Sequence, residues 1–84
     1  MDEHYTMWVK SDCPFCNDAR DELYKQGVNH TINIMDKHLE KLKELKELWT
    51  HPTVPIIVYR DEVVETLIGG CSELKKWFDG KNND

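Results

Sequence analysis

The chain has 84 residues, 39% of them hydrophobic and 32% charged, and this composition predicts one globular domain and argues against disorder. Its formal charge of −5 argues against nucleic acid or an anionic membrane as a partner, because phosphate binding depends on clustered Lys and Arg. No apolar run approaches the ~20 residues that span a bilayer, and the acidic first residues do not resemble a targeting segment, so we expect a cytoplasmic protein.

Strand and helix patterns alternate through the first half of the chain. Apolar residues at every second position predict a first strand that ends near Lys10. From Pro14 the apolar spacing becomes helical, and Gly27 suits the end of a helix, so we predict a helix of about three turns between them. Alternation returns over residues 28–34 and predicts a second strand.

The charged segment that follows has the pattern of an amphipathic helix. Asp36 is suited to its N-cap, and the helix is expected to run to about Trp49. A partner-binding coiled coil is the alternative, but the segment is too short and Lys46 would occupy a core position, so we favour packing on a sheet. The expected apolar face comprises Leu39, Leu42, Leu45, Leu48 and Trp49.

The last third of the chain has the pattern of a β-hairpin followed by a helix. Residues 54–59 form an apolar run that predicts a buried strand, and residues 63–67 are its expected antiparallel partner across the turn at residues 60–62. Gly69-Gly70 interrupts the chain before a last helix, and polar residues 81–84 are expected to fray. The predicted order is βαβαββα, with the first two strands parallel through a right-handed crossover.

The three cysteines carry the clearest chemical signal. An odd count is unusual for a secreted, disulfide-stapled protein, and in a reducing compartment closely spaced cysteines indicate catalysis or metal binding. Cys13-Pro14-Phe15-Cys16 begins the first helix, where unpaired backbone N–H groups and the helix dipole stabilise a thiolate. We therefore predict that Cys13 is the nucleophile of a redox-active dithiol and that Cys16, one turn further and facing the core, is the resolving thiol.

The predicted reaction is thiol–disulfide exchange. Cys13 attacks a substrate disulfide and forms a mixed disulfide, which Cys16 or an external thiol then resolves. Lys10 favours the Cys13 thiolate electrostatically and Asp12 opposes it. The sequence leaves the sign of their combined effect open.

Structural zinc is the alternative for the same tetrapeptide, because two cysteines at this spacing form half of many zinc sites. The other half would need a second close pair of ligands. Cys71 and the four histidines are scattered along the sequence, and Pro14 favours a helix start over a zinc loop. We therefore expect no metal.

Three motifs together resemble those of the dithiol glutaredoxins. They occur in that family's order on that family's sequence of elements: Lys10-x-x-Cys13-Pro14-Phe15-Cys16, Thr53-Val54-Pro55 and Gly69-Gly70-Cys71-Ser72-Glu73-Leu74. The resemblance covers nearly the whole chain and implies a single domain over residues 1–84, with a polar tail from about residue 80. It also implies an α/β, thioredoxin-like fold, in which a four-stranded mixed sheet is flanked by three helices, and a cis peptide bond between Val54 and Pro55.

The resemblance further implies a glutathione-binding groove beside the nucleophile. Glutathione would be the reductant and co-substrate, and its γ-glutamyl carboxylate would meet N–H donors at the start of the last helix. The expected groove residues are Lys10, Phe15, Thr53, Val54, Pro55, Gly70, Cys71 and Ser72. Cys71 could also be a regulatory thiol or form a mixed disulfide, but we favour packing, since a buried cysteine behaves as a small hydrophobe.

The chain departs from the family pattern at two places in this groove. Ser72-Glu73 stands where the family usually has Asp-Asp, and His51-Pro52 stands where many members carry an Arg that pairs with the glycyl carboxylate. His51 or a lysine of the preceding helix is the candidate substitute. We therefore expect weaker glutathione binding than in members with the Arg.

The function that the resemblance implies is a monomeric, glutathione-dependent thiol–disulfide oxidoreductase in electron transport. Its substrates would be protein disulfides or glutathione mixed disulfides, with ribonucleotide reductase as one candidate client. A thioredoxin-like electron donor recharged by a flavoprotein reductase is an alternative, although Trp77-Phe78-Asp79-Gly80 lacks the aromatic-Gly-Phe-Arg-Pro tail expected of that group. An iron–sulfur cluster carrier is a second alternative, which Pro14 disfavours by stiffening the site.

Overall fold

Residues 3–82 are described in a computed structural model, and they form four strands and three helices. In chain order these are β1 (His4–Val9), α1 (Pro14–Gln26), β2 (His30–Ile34), α2 (Leu39–Leu48), β3 (Ile56–Arg60), β4 (Glu65–Gly69) and α3 (Cys71–Asn82). The predicted order βαβαββα is confirmed. None of the helices within residues 3–82 is long and apolar enough to cross a membrane.

The four strands form one mixed sheet in the order β2-β1-β3-β4. β1 and β2 are parallel, with Met7 opposite Ile32, so α1 is the crossover between them. β3 is antiparallel to both β1 and β4. The predicted thioredoxin-like arrangement of four strands and three helices is therefore confirmed.

Helices cover both faces of this sheet, and the buried side chains divide accordingly. Leu23 of α1 and Leu74 of α3 are fully buried in one cluster with Ile57. On the opposite face, Leu42 of α2 packs in a second cluster with Ile56. Ile56 and Ile57 contribute to different clusters because successive side chains of a strand point to opposite faces.

The start of α2 differs from the prediction. The helix begins at Leu39 with His38 at its N-cap, so the prediction that Asp36 caps it is wrong. Asp36 lies in the turn after β2, and its carboxylate accepts hydrogen bonds from Ser11 instead. The helix ends within one residue of the predicted position, with Trp49 as its C-cap.

Only part of the predicted apolar face of α2 is buried. Leu42 and Leu45 are buried, whereas Leu39 is 57% exposed and Leu48 is 72% exposed. At about 100° of rotation per residue, Leu39 and Leu48 lie on roughly opposite sides of the helix. Leucines spaced three residues apart therefore drift around the helix, and only the middle two face the sheet.

The hairpin lies later in the chain than predicted. β3 begins at Ile56, after Pro55, which has no N–H to donate to a neighbouring strand. Val63-Val64 lies in the turn and not in β4, because both of its N–H groups donate to the Asp61 carboxylate, at 2.8 and 2.9 Å. β4 therefore starts two residues later than predicted.

The ends of the other helices and strands lie closer to their predicted positions. Gly27 ends α1 in the left-handed conformation, with φ 65°, and its N–H donates to the carbonyl of Tyr24. β2 begins at His30, two residues later than the predicted start. α3 continues to Asn82, beyond the point where a polar tail was expected, and residues 83–84 of that tail lie outside the described residues.

Candidate active site

The N-terminus of α1 holds the predicted dithiol. Cys13 is the N-cap residue, in an extended conformation with φ −114° and ψ 106°, and Pro14 follows as the first helical residue. The Cys13 sulfur accepts a hydrogen bond of 3.1 Å from the Cys16 N–H. An N-cap side chain usually offers an oxygen to this N–H group, and here it offers a sulfur. The helix start therefore aims an N–H donor at the predicted nucleophile.

Cys13 and Cys16 are joined by a disulfide, with their Cα atoms 5.2 Å apart. Cys13 is half-buried, whereas Cys16 is 3% exposed and belongs to the core cluster that contains Ala19 and Leu23. Thiol–disulfide exchange depends on which sulfur an attacking thiol can reach. The outer sulfur, that of Cys13, is the accessible one.

The segment before β3 faces the dithiol. The Cys13 sulfur lies 3.9 Å from the carbonyl oxygen of Val54, which is 41 residues further along the chain. Cys13 and Val54 also pack against the same core cluster. The peptide bond between Val54 and Pro55 is cis. The antiparallel pairing of β1 with β3 thus brings the first and second motifs together.

A groove of about 360 Å³ lies beside the dithiol, between the segment before β3 and the start of α3. It gathers seven of the eight predicted groove residues: Phe15, Thr53, Val54, Pro55, Gly70, Cys71 and Ser72. Phe15 is 67% exposed, so its ring is available to a ligand at the edge of the groove. The structure therefore brings all three motifs to one surface.

Lys10 is the predicted groove residue that the structure places elsewhere. It lines a separate depression of about 160 Å³ together with Cys16 and Arg20. Hydrogen bonds from Ser11 and, to a smaller extent, the charge of Lys10 lower the pKa of the Asp36 carboxyl group. The charge of Lys10 therefore acts on Asp36, and Lys10 does not line the groove.

Two further residues, His51 and Glu73, line the groove. The sequence distinguishes them only as departures from the family pattern. The Glu73 carboxylate accepts a hydrogen bond of 2.8 Å from the Gly70 N–H, as the acidic residue of a capping box does. A Cβ atom at Gly69 would lie 2.8 Å from the same carboxylate oxygen, and φ there is 122°, so this position requires glycine.

His51 has an unusual environment for a polar side chain. Its Nε2 atom is buried and finds no hydrogen-bond partner within the part of the chain that the structure describes. A Cβ atom at Gly70 would lie 3.9 Å from Nε2 and 3.4 Å from the Glu73 carboxylate, so Nε2 faces the start of α3. Leaving a buried polar atom unpaired costs about 1–3 kcal/mol, and a ligand group in the groove would relieve that cost.

Cys71 is a free thiol at the first residue of α3. It is 9% exposed and belongs to the core cluster between the sheet and α1. Burial raises the pKa of its thiol, so the neutral form is favoured. This environment is that of a small packed residue at the wall of the groove. No group of three or more His, Cys, Asp or Glu side chains among residues 3–82 is arranged to hold a metal ion.

Comparisons with known proteins agree with this geometry. The glutaredoxin family model matches residues 5–64, which is more than half of the chain. Wheat glutaredoxin has a similar structure, with a TM-score of 0.80 and 23% identity over 93% of this chain and 71% of that chain. For E. coli glutaredoxin the TM-score is 0.64, with 22% identity over 96% of this chain and 99% of that chain. Because both identities are below 25%, these two structures support the fold and not the function.

The dithiolic glutaredoxin of Trypanosoma brucei brucei is similar too, with a TM-score of 0.73 and 27% identity over 92% of this chain and 78% of that chain. A comparison with curated proteins found no significant match. The family match includes the dithiol at the start of α1 and strands β1 to β3, and it ends before β4. The chain therefore belongs to the glutaredoxin family, and it is a thiol–disulfide oxidoreductase.

Proposed function

We propose that the protein uses glutathione as its reductant and reduces protein disulfides or glutathione mixed disulfides. The observation that supports this most strongly is the groove beside Cys13. It combines an exposed aromatic ring, a helix N-terminus and an imidazole nitrogen without a partner among the described residues. A short peptide with a central thiol and a carboxylate at each end matches those features, and glutathione has that form.

The reductive half of the proposed cycle begins at Cys13. Its thiolate, stabilised by the Cys16 N–H, attacks one sulfur of the substrate disulfide, and the other sulfur leaves as a thiolate that takes up a proton. Cys16 then loses its proton and attacks the Cys13 sulfur, which releases the second substrate thiol. The substrate has gained two electrons and two protons, and the enzyme is left with the Cys13–Cys16 disulfide.

Two glutathione molecules complete the cycle. The first attacks the accessible Cys13 sulfur and releases the Cys16 thiol, and the second attacks the glutathione sulfur of the mixed disulfide. Glutathione disulfide leaves, and the dithiol is restored. A substrate that is itself a glutathione mixed disulfide needs only Cys13, because its attack transfers the glutathionyl group to the enzyme directly.

Two parts of the groove suit the two carboxylates of glutathione. The start of α3 offers backbone N–H groups and the positive end of the helix dipole to one of them. The Nε2 atom of His51, which has no hydrogen-bond partner within residues 3–82, suits the other. Because one imidazole nitrogen offers a single hydrogen bond where a guanidinium group offers two, we propose weaker binding than in family members with an Arg here.

The test is turnover of a glutathione mixed disulfide in the presence of glutathione and glutathione reductase. We expect NADPH oxidation that depends on the protein and saturates with glutathione. A parallel assay replaces both components with thioredoxin reductase. Turnover with thioredoxin reductase alone would overturn the proposal in favour of a thioredoxin-like electron donor, and a visible charge-transfer absorption after anaerobic purification would favour the cluster carrier.

We also propose a cellular location, an oligomeric state and a class of substrate for this activity. A cytoplasmic location fits an enzyme that needs a supply of reduced glutathione. A monomer acting on disulfide-containing proteins, with ribonucleotide reductase as one candidate client, is consistent with the accessible Cys13 sulfur. Size-exclusion chromatography coupled to light scattering tests the monomer.

A further inference from the structure

The turn after β2 contacts the loop that leads into the dithiol. Asp36 accepts two hydrogen bonds from Ser11, one from the backbone N–H to Oδ1 at 3.0 Å and one from the hydroxyl group to Oδ2. The two residues are 25 positions apart in the sequence. Ser11 lies two residues before Cys13, so Asp36 is joined to the nucleophile through a very short stretch of backbone.

The loop between β1 and α1 needs such an anchor because the geometry of Cys13 depends on how the loop enters the helix. At its start, the Val9 carbonyl accepts a hydrogen bond of 2.8 Å from the Met35 N–H. At its end, the Cys13 sulfur accepts from the Cys16 N–H. Both Asp36 and Ser11 are exposed, and together they hold the middle of the loop against the turn after β2.

We propose that Asp36 is a positioning residue for thiol–disulfide exchange, which holds Ser11 so that Cys13 stays at the N-cap of α1 with its sulfur on the Cys16 N–H. Asp36 touches neither sulfur and acts through Ser11. The inference concerns the exchange reaction of the dithiol, and it holds whichever reductant restores that dithiol.

Removal of the Asp36 charge and removal of the Asp36 anchor would shift the pKa of the Cys13 thiol in opposite directions, so an experiment can separate the two effects. The Asp36 carboxylate adds a negative charge near the loop, in addition to that of Asp12. On charge alone, removing Asp36 would lower the pKa of the Cys13 thiol. Removing an anchor would raise that pKa, because the sulfur would lose its N–H donor.

The experiment measures alkylation of Cys13 by iodoacetamide against pH in the reduced, full-length protein, with the modified peptide identified by mass spectrometry. We expect Asp36→Ala to move the midpoint of the profile upward by about 0.5 pH units. Asp36→Asn keeps a carbonyl oxygen for the Ser11 N–H and is expected to lie closer to wild type. Glu40→Ala removes another exposed carboxylate, in the first turn of α2, and serves as the control for charge.

A second measurement is the equilibrium of the dithiol with a glutathione redox buffer. Loss of the N–H donor to the Cys13 thiolate leaves the reduced form less stabilised. We therefore expect the equilibrium constant between the oxidised and reduced forms of Asp36→Ala to shift about threefold towards the disulfide. A change in thermal stability alone would leave both the midpoint and this equilibrium unchanged, and that result would assign Asp36 a merely structural role.

Ser11→Ala decides whether the effect passes through Ser11. We expect a smaller upward shift than for Asp36→Ala, because the backbone N–H bond remains, and no further shift when Ser11→Ala is added to Asp36→Ala. The inference would be overturned if Ser11→Ala shifted the midpoint equally in the wild-type and Asp36→Ala proteins, or if Asp36→Ala lowered the midpoint. If Asp36→Ala does not fold, Asp36→Asn and Ser11→Ala with their double variant give the same comparison.

Discussion

The carboxylate of Glu73 accepts a hydrogen bond of 2.8 Å from the Gly70 N–H and thereby places a negative charge at the start of α3, inside the groove. In the proposed complex this charge opposes the carboxylate of glutathione. We predict that Glu73→Gln lowers the KM for glutathione by about two- to fivefold, because it removes the charge and keeps an acceptor for Gly70. Steady-state kinetics with a glutathione mixed disulfide measures this, with the exposed Glu47→Gln as the control. An increase in KM would mean that Glu73 contacts the ligand's amine.

His51 supplies the second prediction, which also rests on glutathione as the reductant. We expect His51→Ala to raise the KM for glutathione by about two- to tenfold without lowering kcat, because it removes one hydrogen bond to the ligand. His38→Ala, at the exposed N-cap of α2, is the matched control. A glutathione Kd equal to that of an Arg-containing glutaredoxin and unchanged in His51→Ala would contradict both the role of His51 and the expected weak binding.

Substitutions of the two active-site cysteines are predicted to have different effects on activity. Cys13→Ser should abolish all turnover, because Cys13 is the sulfur that a substrate can reach. Cys16→Ser should keep reduction of a glutathione mixed disulfide and lose dithiol-dependent reduction of a protein disulfide. Parallel assays with the two substrates measure this. Activity in Cys13→Ser together with an inactive Cys16→Ser would reverse the assigned roles.

The two sides of α2 provide a matched pair for stability. We predict that Leu42→Ala lowers the free energy of unfolding by about 2–5 kcal/mol, because Leu42 is 2% exposed and its loss leaves a cavity. Leu39→Ala removes the same atoms from a largely exposed side chain and should change it by less than ~0.5 kcal/mol. Urea unfolding at equilibrium measures both. Equal losses would mean that both faces of α2 are covered in solution.

Asp36 gives a prediction about acid stability. Hydrogen bonds from Ser11 lower the pKa of its carboxyl group below the ordinary value of 3.8, so the unfolded state binds the proton more readily. The resulting stabilisation is present above the unfolded pKa and is lost as the pH falls through the folded pKa. We therefore expect wild type to lose stability more steeply than Asp36→Asn below about pH 4. Urea unfolding across that range measures the slopes, and equal slopes would contradict the prediction.

The elements themselves were predictable because their patterns are local. Period-2 alternation, helical spacing and one continuous apolar run located the seven elements in order, and Gly27 ended the first helix as expected. Two of the errors involve aspartates. Asp36 and Asp61 can each accept from a nearby helix or turn or from a distant partner, and sequence alone does not say which N–H groups come within reach.

The groove was predictable only in part, for a related reason. Family motifs identified seven of its residues, but Lys10 has a long flexible side chain and lines a different depression, with Cys16 and Arg20. The burial of His51 Nε2, without a hydrogen-bond partner in the described part of the chain, could not be predicted either. That burial depends on how the segment after α2 meets the start of α3.

The sequence by itself determined the dithiol: its spacing, its place at a helix start, and the division into an outer and an inner sulfur, because N-cap chemistry and helical spacing involve only neighbouring residues. Only the tertiary structure decided what surrounds the outer sulfur. Val54, Gly70 and Asp36 reach the active-site region through strand pairing and through turns and loops at the same end of the strands. Those contacts join residues far apart in the chain, and they depend on the register of the whole fold.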